Sequence, residues 1–310
     1  MNIVSLLPSA TEIICALGLE DQLVGVTHEC DYPPSVRKLP KVTRTLIPTD
    51  ASSVEIDRLV REQLKSDNAL YTLDLAVLRE LKPDLIVTQA LCDVCAVAED
   101  EVRSVACNLP GNPRVINLEP ETLPEVLTAL RQVATAAGVE RHGEGVIADL
   151  TARIEAVVAR STRVQHQPRV ALLEWLDPPF SCGHWNPELV RLAGGMEGLG
   201  KEGQRSRTLT WNEVVKCQPE VVVIACCGFS IERTLLDLLL LDVVPDWQEV
   251  PAVRSGRVYV TDGSQYFSRP GPRLVDSLEI LAHTFHPLIH PLPKGIPTPV
   301  RVYRIAGTIP

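Results

Sequence analysis

The chain has 310 residues and a formal net charge of −9, with 45% hydrophobic, 22% charged and only 4% aromatic residues. At roughly 150 residues per domain this length predicts two domains, with cores built mainly from Leu, Val, Ala and Ile. A diffuse acidic balance argues against a nucleic-acid partner, which needs a basic surface to displace counterions, and against docking on an anionic membrane. No apolar run reaches the ~20 residues needed to span a bilayer.

Met1 leads directly into a first strand, Asn2–Leu7, and Pro8-Ser9-Ala10-Thr11-Glu12 opens a helix that stops at Gly18. With no basic segment ahead of that strand and no small-residue cleavage site after it, the expected location is the cytoplasm. The alternative is periplasmic, with a signal sequence already removed. Nine cysteines, an odd count spread through a large chain, also fit a reducing compartment better than a disulfide framework.

A pattern then appears twice. Val77–Leu81 ends a helix, Lys82-Pro83-Asp84 turns, and Leu85–Val87 is a strand. Val214–Cys217, Gln218-Pro219-Glu220 and Val221–Ile224 repeat the sequence of events. Proline ends each helix because it lacks an N–H and restricts its predecessor. The apolar run after each acid reads as a strand buried on both faces, as in parallel sheets. Arg114–Leu118 and Arg257–Thr261 close each unit. Arg169–Trp175, with a helix from about Pro187 to Gly194, mirrors the opening strand and helix. Gly194–Gly200 reads as a helix stop and loop. Between the halves, Thr122–Ala137 and roughly Arg141–Arg160 show apolar residues at helical spacing.

The predicted class is α/β: two Rossmann-like lobes with parallel sheets, joined by a long backbone helix, with a ligand cleft between the lobes. The boundaries are an N-terminal lobe over 1–120, a helical region over 121–165, a C-terminal lobe over 166–287 and a proline-rich tail over 288–310. Val300–Ile305 in that tail has the pattern of an added edge strand.

Ligands of open parallel sheets bind beyond the carboxyl ends of the strands. The residues there are Thr27–Pro33, Gln89–Cys95, Pro178–Trp185, Cys226–Phe229 and Asp262–Arg269. Six of the nine cysteines fall in these loops, as do the rings of Trp185, Phe229, Tyr266 and Phe267. That predicts a cysteine-rich, ring-lined cleft, with Trp185, Phe229 and Arg269 among its ligand-binding residues. Cys92-x-x-Cys95 has metal or redox spacing, and Cys226-Cys227 stands in the equivalent loop of the second half. Cys182 with His184, or His28 with Cys30, would add ligands. A zinc site or iron–sulfur cluster is one reading of this set. An enzyme acting on a tetrapyrrole or metal through Glu29, Asp31, Asp93 or Asp177 is another. No Gly-x-Ser-x-Gly, His-Glu-x-x-His or phosphate-cradling loop supports a particular reaction.

The motifs resemble class III substrate-binding proteins, the vitamin B12 and iron-siderophore periplasmic binding family. The resemblance lies in Ile3–Glu12 with Gly18, Val24–Thr27 followed by Asp31-Tyr32-Pro33-Pro34, Leu81–Val87, Pro178-Pro179-Phe180 and Ser268–Arg273. It runs from about residue 2 to 286. It implies non-catalytic binding of a cobalamin-like corrinoid or another metal chelate, and an ABC-transporter permease as partner if the chain is exported. A cytoplasmic member would instead store, sense or handle a cofactor. Carried over by position, the resemblance implies ligand-facing sites near His28, Cys30, Gln89, Leu91, Phe180, Cys227, Gly228, Tyr266 and Phe267. It implies transporter docking through Glu99 and Glu232. Cysteine or histidine at positions where B12 binders carry rings favours a metal, a metal complex or a tetrapyrrole metal as the target.

Overall fold

The computed structural model describes residues 1–45, 47, 51–66, 71–89 and 99–302, leaving aside the side chains of residues 64–66 and 99–101. The chain divides into two compact units, 1–120 with 124–149, and 121–123 with 150–310.

The first unit holds strands β1 (Ile3–Ser5), β2 (Leu23–Gly25), β3 (Thr43–Thr45), β4 (Tyr71–Leu73), β5 (Leu85–Thr88) and β6 (Arg114–Asn117). Its helices are α1 (Pro8–Ala16), α2 (Ser53–Ser66), α3 (Leu75–Leu81), α4 (Glu99–Cys107) and α5 (Leu123–Ala137). The main sheet runs β2-β1-β5-β6, all parallel, while β3 and β4 form a separate antiparallel pair. Val4, Leu6, Ile86, Leu78, Val102 and Ala106 pack together as a core of this unit. Helix α6 (Glu140–Ser161) carries the division within it, between Asp149 and Leu150.

The second unit holds β7 (Arg169–Leu176), β8 (Pro179–Ser181), β9 (Met196–Glu197), β10 (Val221–Ile224), β11 (Val258–Val260) and β12 (Val300–Arg301). Its helices are α7 (Asn186–Leu192), α8 (Trp211–Lys216), α9 (Ile231–Asp237), α10 (Pro251–Arg254) and α11 (Leu274–Phe285). The parallel part runs β9-β7-β10-β11. β8 pairs antiparallel with the later part of β7, and β12 pairs antiparallel with β11. Substituting β9, β7, β10 and β11 for β2, β1, β5 and β6 turns one sheet order into the other.

The duplicated turn explains how each sheet is registered. Lys82 and Gln218 both take the left-handed conformation, with φ of 47° and 49°. Each lets a proline and an acid follow. Asp84 accepts a hydrogen bond from the backbone N–H of Asn2 at 2.7 Å. Glu220 accepts one from that of Arg169 at 2.9 Å. In return, Asp84 and Glu220 donate their own N–H groups to the carbonyls of Asn2 and Arg169, each at 2.8 Å. Each acid therefore clamps the start of the first strand, and the pairings Ile3↔Leu85 and Val170↔Val221 follow.

Two helix stops recur in the same way. Gly18 and Gly194 have φ of +68° and +84°. The residue after each donates back five positions, Leu19 to Ile14 at 3.1 Å and Gly195 to Val190 at 2.9 Å, which closes the orphan carbonyls of the last turn. The chain past Gly194 differs from the expected loop: Met196 and Glu197 form β9 beside Arg169 and Val170. Two residues are too few to show a period of two, so the sequence carries no sign of this strand. The expected edge strand at 300–305 is present at Val300–Arg301, and residues from 303 onward lie outside the described part.

Candidate functional site

In each unit the parallel strands end at one edge of the sheet, and the expected site residues follow those ends. In the first unit the informative cluster comes after β2. His28 is partly exposed, its side chain at 24%. Its Nδ1 lies 2.8 Å from the hydroxyl of Thr43, which also accepts the backbone N–H of His28 at 3.3 Å. Thr43 is buried on β3, so the imidazole is aimed by a fixed group. Nε2 has no hydrogen-bond partner among the described residues; Glu29 Oε1 stands 3.9 Å away. Tyr71, on β4, donates its hydroxyl to Glu29 at 3.1 Å and holds its ring 5.4 Å from that of His28. Burial pushes the imidazole pKa down, aided by the Lys41 cation and opposed by Glu29. His28 is thus a neutral imidazole with one nitrogen anchored and the other available. Metal-binding histidines have this form, because the second nitrogen needs a partner to fix tautomer and orientation.

Cys30 was expected to face ligand. It is 3% exposed, with its sulfur 3.1 Å from Thr11 Oγ1 and 3.3 Å from Thr27 Oγ1. Burial raises its thiol pKa, so this cysteine belongs to the core behind His28. Gln89 is buried just beyond β5. Leu91, Cys92, Asp93 and Cys95 lie outside the described residues, as does the side chain of Glu99.

In the second unit the rings sort into two groups. Phe267 and Trp185 are buried, and Trp185 Nε1 donates to the Phe267 carbonyl at 2.9 Å. These two, expected to face ligand, instead fix the loop after β11 onto the start of α7. Phe229 is also largely buried, 4.7 Å from the Trp175 ring and with the Arg233 guanidinium 4.4 Å over its face. Phe180, paired with Trp175 across β7 and β8, and Tyr266 stay partly exposed. Arg273 lies 5.2 Å over the Tyr266 ring. Arg269 is buried, its Nη2 3.4 Å from Ser264 Oγ. Gly228 has φ of +75° and open space where a side chain would be, beside the exposed Cys227.

The cysteines do not assemble. Cys182 is wholly buried, and burial drives its thiol pKa far upward. Cys226 is pushed up to about 12 by burial. Their loops turn the sulfur inward, where the neutral thiol is favoured and the metal-binding thiolate is not. His184 stacks on Trp185 at 5.5 Å, with φ of 51°. Among the described residues no three His, Cys, Asp or Glu side chains are placed to hold a metal ion. The expected cluster of Cys182, His184, Cys226 and Cys227 therefore does not form within this unit.

The sequence matches the family described as Periplasmic binding protein over residues 3–264. The chain belongs to the periplasmic binding protein family. It is 24% identical over 282 residues to the vitamin B12-binding protein of Vibrio cholerae serotype O1, covering 90% of this chain and 86% of that one. It is 22% identical over 292 residues to an uncharacterized ABC transporter substrate-binding lipoprotein of Bacillus subtilis, covering 92% and 80%. Among solved structures it resembles a periplasmic heme binding protein from Pseudomonas aeruginosa, with a TM-score of 0.72, 21% identity and coverage of 97% and 99%. It also resembles the periplasmic vitamin B12 binding protein of Vibrio cholerae, with a TM-score of 0.65, 21% identity and coverage of 92% and 96%. These likenesses establish the two-unit α/β fold of the family, whose members bind substrates without catalysis.

Two features of this family member escaped the sequence reading. Tyr71 and Thr43 meet His28 only through the β3–β4 pair, which joins positions 28 residues apart. Thr43 and Tyr71 stand on different strands, so no local pattern in the sequence marks their meeting. Glu174 sits within an apolar run on β7. Its Oε1 accepts from Asn186 Nδ2 at 2.7 Å and from the Gly183 N–H at 3.1 Å. Burial raises this carboxyl to about 7.

Proposed function

We propose that the protein captures a flat metal chelate of the haem or cobalamin class at the carboxyl-edge loops, with His28 Nε2 as a metal ligand. The observation that carries this is the neutral imidazole held through Nδ1 by Thr43. With Nδ1–H donating to the threonine oxygen, Nε2 presents its lone pair to a metal. Tyr71, beside the His28 ring, offers an aromatic face to a planar ligand, whose burial is then driven by apolar contact. The relatives that bind B12 and heme support the same class of cargo.

Absorption titration with haemin and with hydroxocobalamin tests the reading. A shifted band that saturates at one equivalent, and that His28→Ala alters, is expected. No spectral change with either compound would remove it. If the chain is exported, the reading includes an ABC permease as partner, with Glu232 as the docking acid. That glutamate is exposed at the start of α9, next to the capping Ser230. Cytoplasmic residence remains part of the proposal, and fractionation of the source cells checks it; a periplasmic result would replace storage or cofactor handling with delivery to the permease. Among the described residues no helix is long and apolar enough to cross a membrane.

A further inference from the structure

Three donor atoms of the first unit gather beside the β3–β4 pair. His28 follows β2, and its Nδ1 is taken up by the Thr43 hydroxyl at 2.8 Å. Its Nε2 stands 3.9 Å from Glu29 Oε1. Tyr71 brings its hydroxyl to the same carboxylate oxygen at 3.1 Å, with its ring 5.4 Å from the imidazole. The backbone helps to set each donor. The Glu29 N–H donates to Thr27 Oγ1 at 3.2 Å. Tyr71 pairs with Thr45, two residues on from Thr43 and therefore on the same face of the ribbon. The donors reach solvent: the His28 and Glu29 side chains are 24% and 43% exposed, and Tyr71 is partly exposed.

These separations are those of ligands that share one ion. With bonds of about 2.1 Å, two donors stand about 3.0 Å apart at a right angle and at most about 4.2 Å apart in line. Charge acts in the same direction. Among the described residues no Lys or Arg forms an ion pair with Glu29, and Lys41 gives its Nζ to the Cys30 carbonyl at 3.2 Å instead. The donor chemistry points to iron. Carboxylate and phenol oxygens are hard donors, tyrosine is an iron ligand, and imidazole binds iron as it binds zinc. Cys30, two residues beyond His28, keeps its sulfur buried against Thr11 and Thr27, so its thiol does not join the set.

We infer that His28 Nε2, Glu29 Oε1 and the Tyr71 hydroxyl oxygen form a binding site for a ferric ion that is not enclosed in a macrocycle. A porphyrin or corrin leaves its metal a single axial position on each face, so three donors grouped on one side cannot all reach a metal closed in a ring. The inference rests on the reading of His28 as a metal ligand and adds a second cargo to the planar one. On binding, the Tyr71 O–H bond breaks, its proton leaves to solvent, and the electron pair left on oxygen forms the bond to iron. The ion stays ferric throughout, and a small open chelator or water fills its remaining positions.

Titration of the full chain with ferric nitrilotriacetate tests the site. Phenolate bound to ferric iron gives a visible charge-transfer band, and the expected band saturates at one equivalent. Tyr71→Phe keeps the ring beside His28 and should abolish the band. Glu29→Gln and His28→Ala should each weaken binding at least about tenfold, as loss of a ligand predicts. Thermal midpoints of the variants without iron separate a lost site from a lost fold. A parallel titration with haemin separates the inference from the proposed function. A haemin band with no ferric band sinks the inference alone, whereas a ferric band with no haemin band supports the site and removes haem as cargo. A ferric band that Tyr71→Phe retains, or a ferric affinity that Glu29→Gln leaves unchanged, would also overturn the inference.

Discussion

Acid should destabilise the second unit through one histidine. His290 is 2% exposed, at the end of the turn that follows α11. Arg160 Nε donates to its Nδ1 at 3.3 Å, so that nitrogen carries no proton. Nε2 lies 3.3 Å from Ser161 Oγ and carries the ring hydrogen. The backbone carbonyl accepts from His283 Nδ1 at 2.8 Å, and the backbone N–H donates to His286 at 2.9 Å. The ring is held neutral. Burial first, then the charges of Arg160, His286 and His283, depress its pKa to about 4.

An unfolded histidine titrates near about 6.5. Between that value and 4 the unfolded chain takes up a proton that the folded ring refuses. The stabilising contribution is therefore whole above pH 6.5 and is lost as the pH falls toward 4. At about 1.4 kcal/mol per pH unit, the loss is about 2 kcal/mol at pH 5 and about 3 kcal/mol once complete. Urea unfolding at about pH 7 and pH 5 measures it. His290→Gln keeps a hydrogen-bonding side chain but cannot titrate, so its stability should fall by about 2 kcal/mol less than that of the native chain over this interval. Other ionisable groups are shared and cancel in the difference. Equal losses in the two proteins would refute the argument.

Glu174 should behave in the opposite sense. Its carboxyl is raised to about 7 by burial, so its protonated form favours the fold and stability declines as the pH rises from the unfolded value toward 7. Glu174→Gln retains an acceptor for Asn186 and Gly183 and should flatten that decline by about 1–3 kcal/mol in denaturant midpoints at neutral pH. Asp84→Ala removes the acceptor for the Asn2 N–H and should cost about 1 kcal/mol; hydrogen exchange should quicken in β1 ahead of β10. Cys182→Ser places a hydroxyl in a fully buried position, with an expected loss of about 1–3 kcal/mol. Its haemin or cobalamin affinity should stay unchanged, and a large loss of affinity with an intact fold would restore Cys182 as a ligand.

The sequence by itself determined the repeated frame. Lys82-Pro83-Asp84 and Gln218-Pro219-Glu220 each announce a helix stop and a buried parallel strand, because proline and a left-handed residue leave the chain few alternatives. Gly18 and Gly194 mark helix ends for an equally local reason. Tertiary structure decided which post-strand side chains face inward. Cys30, Cys182 and Cys226 share loops with His28, His184 and Cys227, and nothing local distinguishes a sulfur packed on threonine from one left at the surface. The His28–Thr43–Tyr71 group likewise required β3 and β4 to pair across 25 intervening residues, and β9 required β7 as a template. Pairings of this kind are settled by what each strand buries against its neighbour, which a single stretch of sequence does not contain.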